Sequence, residues 1–466
     1  MADIAIIGGG AAGAALFGAL LGLNDQATVH WVTGPSTTGR GVAYATRDEH
    51  HLLNVRASGM GLYVDQDEDF VQHAGRDHSG IRNTDFLPRR LFGDFIEAQV
   101  RARIASAEKR GRRFARHTTE AVRIDPQIHG YDVLLANNEI LRVDTVILAV
   151  GALSPRPLRT VSASALASGA YELNPWNLSQ RSRAPRRLIV IGTGLTAVDT
   201  LLSASTQWPD AELVAVSRHG QLPFVHPVLP AQPYPLQSQL NAALLACNGT
   251  APMLRAIRNA LRDTPGIDWR SVIDGMRPIN ATLWQGLTLP QRRQFLHHAR
   301  WIWEASRHRT APRSTETIQQ LLDEGRLHVH AARVLGVDGV GPLDVQVRSR
   351  SNQVLSTLQA DLVVQATGLD TAVAFTEHTL LSQLIEDGLA IADPLQLGVA
   401  AHPDGRLINA RGDVQPGLYA IGSLLRGNLW ECTAMPEIRA AAHALAAALA
   451  ASRSADVVDA TATVTV

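Results

Sequence analysis

The chain has 466 residues, of which 45% are hydrophobic, and it carries 43 Lys and Arg residues against 43 Asp and Glu residues. This length is enough for two or three domains, and the zero net charge argues against nucleic acid or an anionic membrane as the main partner. The two cysteines, Cys247 and Cys432, form no Cys-x-x-Cys pair, which argues against a disulfide scaffold, a zinc ribbon and a dithiol reductase.

The N-terminal segment has the pattern of a strand, a glycine turn and a helix. The apolar run from Ile4 to Ile7 leads into Gly8, Gly10 and Gly13, which have Gly-x-Gly-x-x-Gly spacing, and apolar residues continue at helical spacing. This order predicts a dinucleotide-binding fingerprint, with the pyrophosphate on the helix N-terminus. The run could also suggest a membrane span, but no basic region precedes it and the turn would interrupt the helix. We therefore expect a cytoplasmic protein without a membrane partner.

The second strand, from Ala27 to Val32, ends without the acidic residue that binds the adenosine ribose in such folds, because Thr33 and Gly34 stand there. A long loop follows from Gly39 to Gly61, and long ordered loops are often functional, so we expect it to border the first cofactor. Its candidate cofactor-binding residues are Arg40, Asn54 and Met60, and its candidate catalytic residue is His51. A histidine there would relay a proton or simply hydrogen-bond the backbone, and the sequence leaves both open.

The next segments predict a helix, two strands and a break. An amphipathic, arginine-rich helix is predicted from Arg89 to Arg116. The runs Tyr131–Ala136 and Asp144–Gly151 have the alternating or clustered β-branched residues of strands. The proline-rich run Ser154–Leu158 then marks the first domain boundary.

A second fingerprint follows this boundary. The apolar run from Leu188 to Ile191 leads into Gly192, Gly194 and Ala197 in Gly-x-Gly-x-x-Ala spacing. Two such fingerprints predict two dinucleotide sites. The next strand ends at Arg218 with no acidic residue, and an arginine there can pair with a 2′-phosphate. This favours NADPH over NADH, although exposed arginines at strand ends are also common.

The rest of the chain predicts a helical insertion and a return to the first domain. Helical patterns run from about residue 223 to 326. The strand-like run 359–368 ends in glycine as the run 144–151 does, and a last strand from Leu418 to Ile421 is followed by Gly422 and an alanine-rich helix. The predicted fold class is therefore α/β, with two Rossmann-like dinucleotide-binding domains and a helical insertion.

Together, the two fingerprints and the glycine-ended strands resemble the two-dinucleotide-binding flavoproteins over nearly the whole chain. The motifs GRGVAY, GTGLTAVD, SRHG and RGNLWE are similar to those of a bacterial branch of that superfamily. This branch includes flavin-dependent urate hydroxylases of the HpyO type and L-aspartate N-monooxygenases. The compact length favours the urate-hydroxylase side.

The resemblance implies FAD on the first fingerprint and on the closing segment near Gly422, and NADPH or NADH on the second fingerprint. The domains that follow are an FAD domain in residues 1–158 and 340–452, an NAD(P)H domain with its insertion in 159–339, and a disordered tail in 453–466. Superfamily members usually carry an acid after the closing glycine, where it binds the flavin ribityl chain. This chain has Ser423 there, which is a weaker hydrogen-bonding partner.

The resemblance also implies a monooxygenase, in which NAD(P)H reduces FAD and a flavin C4a-hydroperoxide passes oxygen to the substrate. Conversion of urate to 5-hydroxyisourate is the leading reaction, and anionic urate needs an arginine fork. Arg426 and one of Arg307 and Arg309, which lie on different helix faces, are the candidates for this fork. Trp430 is expected to wall the flavin ring and Glu431 to act as a base. The alternatives are structural arginines, a core tryptophan and a capping glutamate.

Three other functions fit the same sequence. An N-hydroxylase of an amino acid or amine would use the same candidate residues, a reductase would pass electrons to an external acceptor, and a sensor would bind the cofactors without turnover. A metal site is not expected, because His328 with His330, and His297 with His298, have no third ligand at suitable spacing. The expected partners are therefore molecular oxygen and a small-molecule substrate, and the sequence does not predict an oligomeric state.

Overall fold

The computed structural model describes residues 3–35, 39–64 and 69–462, with residues 454–462 described by their backbone alone. Within these residues the strands are β1 Ile4–Ile7, β2 Val29–Val32, β3 Phe114–His117, β4 Ala121–Pro126, β5 Tyr131–Leu135, β6 Ile140–Val143, β7 Thr145–Leu148, β8 Tyr171–Glu172, β9 Arg187–Ile191, β10 Glu212–Ser217, β11 Leu327–Asp338, β12 Leu343–Ser349, β13 Leu355–Ala360, β14 Leu362–Gln365, β15 Arg406–Ile408 and β16 Val414–Ala420. The α-helices are α1 Ala11–Gly22, α2 Gly41–Tyr44, α3 Asp69–Gly75, α4 Arg89–Lys109, α5 Ala163–Ala167, α6 Leu195–Gln207, α7 Gln237–Leu245, α8 Thr250–Asp263, α9 Trp269–Gly275, α10 Asn280–Gly286, α11 Leu289–His298, α12 Arg300–Arg307, α13 Pro312–Asp323, α14 Thr379–Glu386, α15 Arg426–Leu429 and α16 Met435–Ala462.

The first large sheet has the strand order β15-β16-β7-β1-β2-β3. β1 pairs in parallel with β2 and β7, β16 pairs in parallel with β7, and the edge strand β15 runs antiparallel to β16. The carboxyl ends of parallel strands meet at one edge of a sheet. The turns after β1, β7 and β16 therefore lie beside one another.

Helices including α1 and α4 cover one face of this sheet, and the small antiparallel sheet β4–β6 covers the other together with α14. The helical face buries a core that includes Phe17, Trp31 and Phe95, and the rings of Phe17 and Trp31 stack at 4.7 Å. The other face packs residues such as Ile124 and Leu384 against the strands. Burying each of these side chains stabilises the fold by roughly 1.5–3 kcal/mol, so β1 and α1 are held rigidly from both sides.

The second large sheet has the order β13-β12-β11-β10-β9-β14-β8. The strands β8, β14, β9, β10 and β11 run parallel to one another. From β11 the sheet continues through β12 and β13 as an antiparallel meander. Together, the two sheets and their helices confirm the predicted α/β class with two Rossmann-like units.

The boundary between the two units differs from the one expected from the sequence, which assigned residues 340–452 to the first domain. β12, β13 and β14 belong to the second sheet. β14 pairs with β9 from Leu362 opposite Leu188 to Gln365 opposite Ile191, because all four of its residues are buried between β9 and β8. The second unit therefore continues through β14 before the chain returns to the first.

The helix after the long loop is shorter than predicted. α4 ends at Lys109, whereas the sequence analysis extended this helix to Arg116. Gly111 adopts φ +67°, a left-handed conformation that ends helices. The following residues, Phe114–His117, form β3 and pair in parallel with β2.

The helices α7–α13 lie between β10 and β11 and have a small core of their own, which includes Leu244, Val272 and Met276. At the C-terminus, α16 runs to Ala462, whereas the sequence analysis expected a disordered tail from residue 453. Residues 463–466 lie outside the described part of the chain. None of the described helices combines the length and the apolar character that a membrane crossing requires.

Candidate functional site

The first glycine turn lies at the carboxyl edge of the first sheet, between β1 and α1. Gly8 adopts φ +130°, and a Cβ there would lie 2.2 Å from the carbonyl oxygen of Ala149. A Cβ at Gly13 would lie 2.1 Å from the carbonyl oxygen of Gly8. Gly10 caps α1 without a side-chain hydrogen bond, and the first turn carries no acidic residue. The amides at this helix N-terminus are therefore available to a phosphate group.

The closing segment reaches the same helix N-terminus. Gly422, which follows β16, adopts φ +78°, and a Cβ there would lie 3.5 Å from the Cβ of Ala12 in the first turn of α1. The next side chain, Ser423, is buried, and its Oγ has no hydrogen-bond partner within the described chain. A buried hydroxyl without a partner is uncommon and needs an explanation. An unpartnered Oγ next to an open helix N-terminus fits a polar group of a bound dinucleotide such as FAD.

The end of β2 is organised around backbone groups. Trp31 donates its indole N–H to the carbonyl oxygen of Gly8 at 2.9 Å, which holds the turn in place. Thr33 donates its hydroxyl to the carbonyl oxygens of Gly34 and His117. The sequence analysis did not predict this role of Trp31. A signal was present, because a tryptophan on a buried strand beside the turn needs a hydrogen-bond acceptor for its indole N–H.

Two of the predicted cofactor-binding residues in the long loop are occupied elsewhere. The guanidinium of Arg40 bonds to Glu97 at 2.6 Å and to Asp94 at 2.5 Å, both on α4. Met60 is only 1% exposed and packs in the core of the first unit. The third, Asn54, offers its backbone carbonyl to Nε2 of His226 at 3.0 Å. Arg40 is held by acidic residues of α4, and the Met60 side chain is packed in the core. Both residues therefore mainly anchor the loop.

His51 lies away from the other predicted catalytic residues. Its ring is buried, with Nδ1 2.8 Å from Oγ1 of Thr46 and Nε2 2.8 Å from Oγ of Ser203. Nε2 also lies 3.2 Å from the carbonyl oxygen of Asp199. Ser203 and Asp199 belong to α6 of the second unit. This arrangement fits the hydrogen-bonding alternative for His51, because Nδ1 is engaged within the loop and Nε2 joins the loop to the second unit.

The second glycine turn repeats the first at the edge of the second sheet. Gly192 adopts φ +134°, and a Cβ there would lie 2.2 Å from the carbonyl oxygen of Ala366. Gly194 caps α6 without a side-chain hydrogen bond. Thr193 donates its hydroxyl to Oγ of Ser217 at 2.9 Å, so the turn is tied to the end of β10. This is a second helix N-terminus that can bind a phosphate group.

A cavity of about 640 Å³ lies beyond the end of β10, and we call it the nucleotide pocket, after the ligand that the sequence analysis expects at Arg218. Its lining residues are Arg218, His219, His297, His298, Trp301, Arg333 and Arg350. The rings of His219 and Trp301 stack at 4.4 Å with an interplanar angle of 9°. Burial, together with the charges of Arg350 and Arg218, lowers the pKa of His219. The imidazole is therefore neutral at physiological pH, and the charge of the pocket comes from its arginines.

A second group of side chains surrounds Glu431, and we call it the Glu431 cluster. Oε1 of Glu431 accepts a hydrogen bond from the indole of Trp303 at 2.9 Å. Oε2 accepts from Nδ2 of Asn280 at 2.9 Å and from Nε of Arg307 at 3.1 Å. Three donors therefore orient this buried carboxylate, and all three come from the helical insertion.

A second carboxylate lies beside the first. Glu437 accepts from Arg277 at 2.5 and 2.9 Å, and its Oε1 lies 3.5 Å from Nη2 of Arg307. Burial opposes ionisation of Glu437, but the hydrogen bonds and charge of Arg277 and the charge of Arg307 hold its pKa below the usual value. The carboxylate is therefore ionised at neutral pH, and Arg307 contacts both glutamates.

The other predicted arginine of this region is also paired. Arg426 donates to Glu304 at 2.8 Å, and Glu304 also accepts from Arg300 at 2.9 Å. The guanidinium of Arg426 lies 4.7 Å from the ring centre of Trp430, which stacks on Trp284 at 5.0 Å. Trp430 adopts φ +61°, a strained conformation for a residue with a side chain.

The structure thus brings Arg307, Arg426, Trp430 and Glu431 together around one small cavity. Arg309 is not part of it, because its Nη2 donates to both carboxylate oxygens of Asp274 at 2.6 and 2.7 Å. The expected arginine fork is not free, since Arg307 is bonded to Glu431 and Arg426 to Glu304. The sequence analysis named Glu431 as a candidate but did not predict these two pairs, because each joins residues more than 120 positions apart.

The remaining groups in this region are poorly suited to metal or thiol chemistry. Cys432 donates to the carbonyl oxygen of Gly422, and burial raises its pKa to about 12. Burial also lowers the pKa of His308, which lines the same cavity. Over the described ranges, no three His, Cys, Asp or Glu side chains are grouped as metal ligands.

Two sheets with parallel central strands, each with a glycine turn and an open helix N-terminus at the carboxyl edge of those strands, define a protein with two dinucleotide-binding units. Residues 5–153 match the sequence model of a family described as FAD-NAD(P)-binding. This match covers the first glycine turn and agrees with FAD as the cofactor expected there. A comparison with curated proteins gives no match.

Solved structures resemble the chain over nearly its whole length. An ornithine N-hydroxylase of Kutzneria sp. 744, solved with reduced FAD, NADP⁺ and L-ornithine, is 16% identical, with a TM-score of 0.65 over 96% of this chain and 98% of that one. An L-lysine 6-monooxygenase of Pseudomonas syringae is also 16% identical, with a TM-score of 0.65 over 96% and 99%. The bacillithiol disulfide reductase of Bacillus cereus is 13% identical, with a TM-score of 0.54 over 97% and 99%. Hydroxylases and a disulfide reductase share this fold, so the chemistry has to be argued from the site.

Proposed function

We propose that this protein is an FAD-dependent, NADPH-consuming monooxygenase, and that its substrate is a small amino acid or amine hydroxylated on nitrogen. The observation that carries the proposal is the course of the closing segment. Gly422 and Ser423 lie at the first dinucleotide site, and Trp430 and Glu431 follow within ten residues in a buried, charged cluster. The side chains that could handle a substrate are thus adjacent to the expected flavin site.

Each nucleotide has a suitable group of residues. The amides at the N-terminus of α1 and the unpartnered Oγ of Ser423 fit the polar chain of FAD. Arg218, which the sequence analysis assigned to the 2′-phosphate, lines the nucleotide pocket, and this supports NADPH as its occupant. When bound, FAD accepts a hydride from NADPH and activates molecular oxygen.

The cysteines argue against a thiol-based reductase of the same fold. Cys432 is buried with a pKa raised to about 12, so it is not a thiolate at neutral pH. Cys247 lies in the helical insertion after α7, and both cysteines are free. A chain without a dithiol must pass its electrons elsewhere, and oxygen is the acceptor that the proposal assigns.

The Glu431 cluster supplies two carboxylates for a substrate that carries an amine. Glu431 and Glu437 can hold an ammonium group, and Arg307, which contacts both, keeps them in position. An amine must lose its proton before its nitrogen attacks an electrophilic oxygen, and the buried carboxylate of Glu431 is placed to accept one. Surrounding aromatic rings exclude water from this region.

Urate is a less well supported substrate than the sequence analysis expected. Both hydroxylases named above act on amino acids. Urate is an anion, and binding it would require Arg307 or Arg426 to leave its glutamate partner. An amine-bearing substrate can instead use the glutamates directly, which favours N-hydroxylation.

The test is an isotope experiment on the purified yellow holoenzyme. The protein is supplied with NADPH and ¹⁸O₂ and, in separate reactions, with ornithine, lysine, aspartate or urate. We expect one amino acid to stimulate oxygen uptake and to gain a single ¹⁸O atom on nitrogen, as measured by mass spectrometry.

Other outcomes separate the rival functions. Incorporation of ¹⁸O into urate would overturn the substrate but keep the monooxygenase. If NADPH is oxidised only to peroxide with every substrate, and an added quinone or ferricyanide is reduced rapidly, the protein is a reductase and the proposal is wrong.

A further inference from the structure

The nucleotide pocket carries more positive charge than one predicted arginine supplies. Arg218 follows the end of β10, Arg333 lies on β11 and Arg350 follows the end of β12, and all three line the cavity. Within the described chain, none of these three guanidinium groups forms an ion pair with a carboxylate. Three uncompensated cations around one cavity repel one another. An anion that enters between them relieves this repulsion.

This pattern contrasts with the other charged region of the molecule. In the Glu431 cluster, Arg307 and Arg426 each bond to a glutamate. Arg40 at the first unit is likewise bonded to two acids. The nucleotide pocket differs in that three arginines without a carboxylate partner among the described residues line one cavity, and such a set fits a ligand of opposite charge.

The backbone holds the three segments that carry these arginines close together. Gly220 adopts φ +62°, and a Cβ there would lie 3.1 Å from the Cβ of Ala331, so the chain after β10 packs directly on β11. The amide of Arg350 donates to the carbonyl oxygen of Ala331 at 2.8 Å. Both contacts meet at Ala331 of β11, two residues from Arg333, which agrees with all three arginines lining one cavity.

The pocket also offers a flat aromatic surface. His219 and Trp301 stack nearly in parallel at 4.4 Å, and Trp301 is further held by donating its indole N–H to the carbonyl oxygen of His298. Purine rings stack favourably on such surfaces. A ligand that combines a purine with a nearby doubly charged phosphate would use both parts of the pocket.

We propose that Arg333 and Arg350 act with Arg218 to bind the 2′-phosphate of NADPH, and that the His219–Trp301 stack supports its adenine. This inference rests on the proposed function, because it takes NADPH as the electron donor. The inference adds that the preference for NADPH over NADH depends mainly on arginines of β11 and of the turn after β12, which lie outside the glycine fingerprint. The guanidinium groups supply several charge-assisted hydrogen bonds to one phosphate, which NADH lacks.

The test measures binding to the FAD-loaded protein by titration calorimetry, without turnover. The probes are 2′,5′-ADP, 5′-AMP and inorganic phosphate. We expect 2′,5′-ADP to bind at least about 100-fold more tightly than 5′-AMP and inorganic phosphate to bind far more weakly than either, because the pocket must recognise purine and phosphate together. Equal affinity for 2′,5′-ADP and 5′-AMP would overturn the proposal, and so would inorganic phosphate binding as tightly as 2′,5′-ADP.

Variants assign the effect to particular residues. Arg333→Ala and Arg350→Ala should each weaken 2′,5′-ADP binding about tenfold or more and leave 5′-AMP binding unchanged. Both side chains are exposed, so the fold should tolerate these changes. Arg313→Ala, which removes an exposed arginine from α13 of the same unit, is the matched control and should change neither affinity. Loss of affinity in Arg218→Ala alone, with the other two variants unchanged, would also contradict the proposal.

Failure here is distinguishable from failure of the proposed function. A protein that incorporates ¹⁸O into an amine with NADH as donor, but does not prefer 2′,5′-ADP, remains a monooxygenase and refutes the three-arginine site. A protein that prefers 2′,5′-ADP and shows no oxygen transfer keeps the site and loses the monooxygenase.

Discussion

At the scale of single residues, the proposed chemistry depends on the carboxylate of Glu431, which neighbouring side chains hold in place. Glu431 follows Trp430, whose φ of +61° costs about 1–3 kcal/mol and turns the chain sharply after α15. The carboxylate then meets Trp303, Asn280 and Arg307. Strained backbone that persists next to a buried charge indicates that the surrounding contacts over-determine this geometry.

Replacing Glu431 by Gln tests whether this carboxylate serves the substrate. In either orientation of its amide, the Gln NH₂ group would face at least one donor, either Trp303 or Arg307 with Asn280. We expect kcat/KM for the amine substrate to fall about tenfold or more, with FAD content and substrate-free NADPH oxidation unchanged. The measurement is steady-state oxygen uptake. The control Glu386→Gln, on the exposed side of α14, should leave kcat/KM as it is; an equal loss in both variants would refute a role for Glu431.

At the scale of elements, the helices α1 and α12 carry groups that form the candidate sites. α1 presents its open N-terminus to the first dinucleotide and depends on close packing against the turn before it. α12 is only eight residues long, yet it carries Trp301 in the nucleotide pocket and Arg307 in the Glu431 cluster. One short helix of the insertion therefore contributes to both charged regions.

The packing of α1 predicts the effect of filling its glycine. In Gly13→Ala the new methyl group would lie 2.1 Å from the carbonyl oxygen of Gly8, so the turn or the helix must shift. We expect the protein to lose its FAD during purification and to lose about 1–3 kcal/mol of stability. The checks are the ratio of flavin to protein absorbance and the urea midpoint. Gly286→Ala, where a Cβ meets open space, is the control; retention of FAD by Gly13→Ala would contradict the role of this turn.

At the scale of the whole molecule, the long loop of the first unit and the start of α4 are joined to α6 of the second. Arg89 lies 3.2 Å from a carboxylate oxygen of Asp199; the Asp199 side chain is buried, and the Arg89 side chain is 13% exposed. His51 adds its bond to Ser203 on the same helix. Burial raises the pKa of Asp199, while the charge of Arg89 opposes this shift. The junction between the two units thus contains a largely buried ion pair.

Removing Arg89 should weaken this junction strongly. Arg89→Ala leaves Asp199 buried without its partner, which costs about 3–5 kcal/mol. A carboxyl whose pKa is raised in the folded state loses stability as pH rises through that pKa, so the penalty should be largest at neutral pH and smaller in acid. The measurement is the urea midpoint at several pH values. Arg90→Ala removes an exposed pair with Glu49 and should cost less than about 1 kcal/mol; equal penalties would contradict a buried junction.

Much of the fold could be predicted from the sequence because its signals are local. A Cβ at Gly13 would meet the carbonyl oxygen of Gly8 in the same turn, and a Cβ at Gly8 would meet that of Ala149, just after the adjacent strand β7. The spacing of the glycines is therefore enough to indicate the turn. The second fingerprint at Gly192 could be recognised in the same way, because its strand, turn and helix are also consecutive in the chain. Apolar runs and the alternation of apolar and polar residues likewise predicted the main buried strands, because the burial of a strand determines the pattern of its consecutive residues.

The tertiary structure decided which distant segments meet. β14 has the same glycine-ended pattern as β7, and only its pairing with β9 places it in the second sheet. The sequence marked Glu431, Arg307 and Arg218 as candidates, but it could not show that Glu431 is bonded to Arg307 or that Arg333 and Arg350 stand beside Arg218. These contacts join residues more than one hundred positions apart. No local pattern encodes them, because they depend on how the helical insertion packs on the two units.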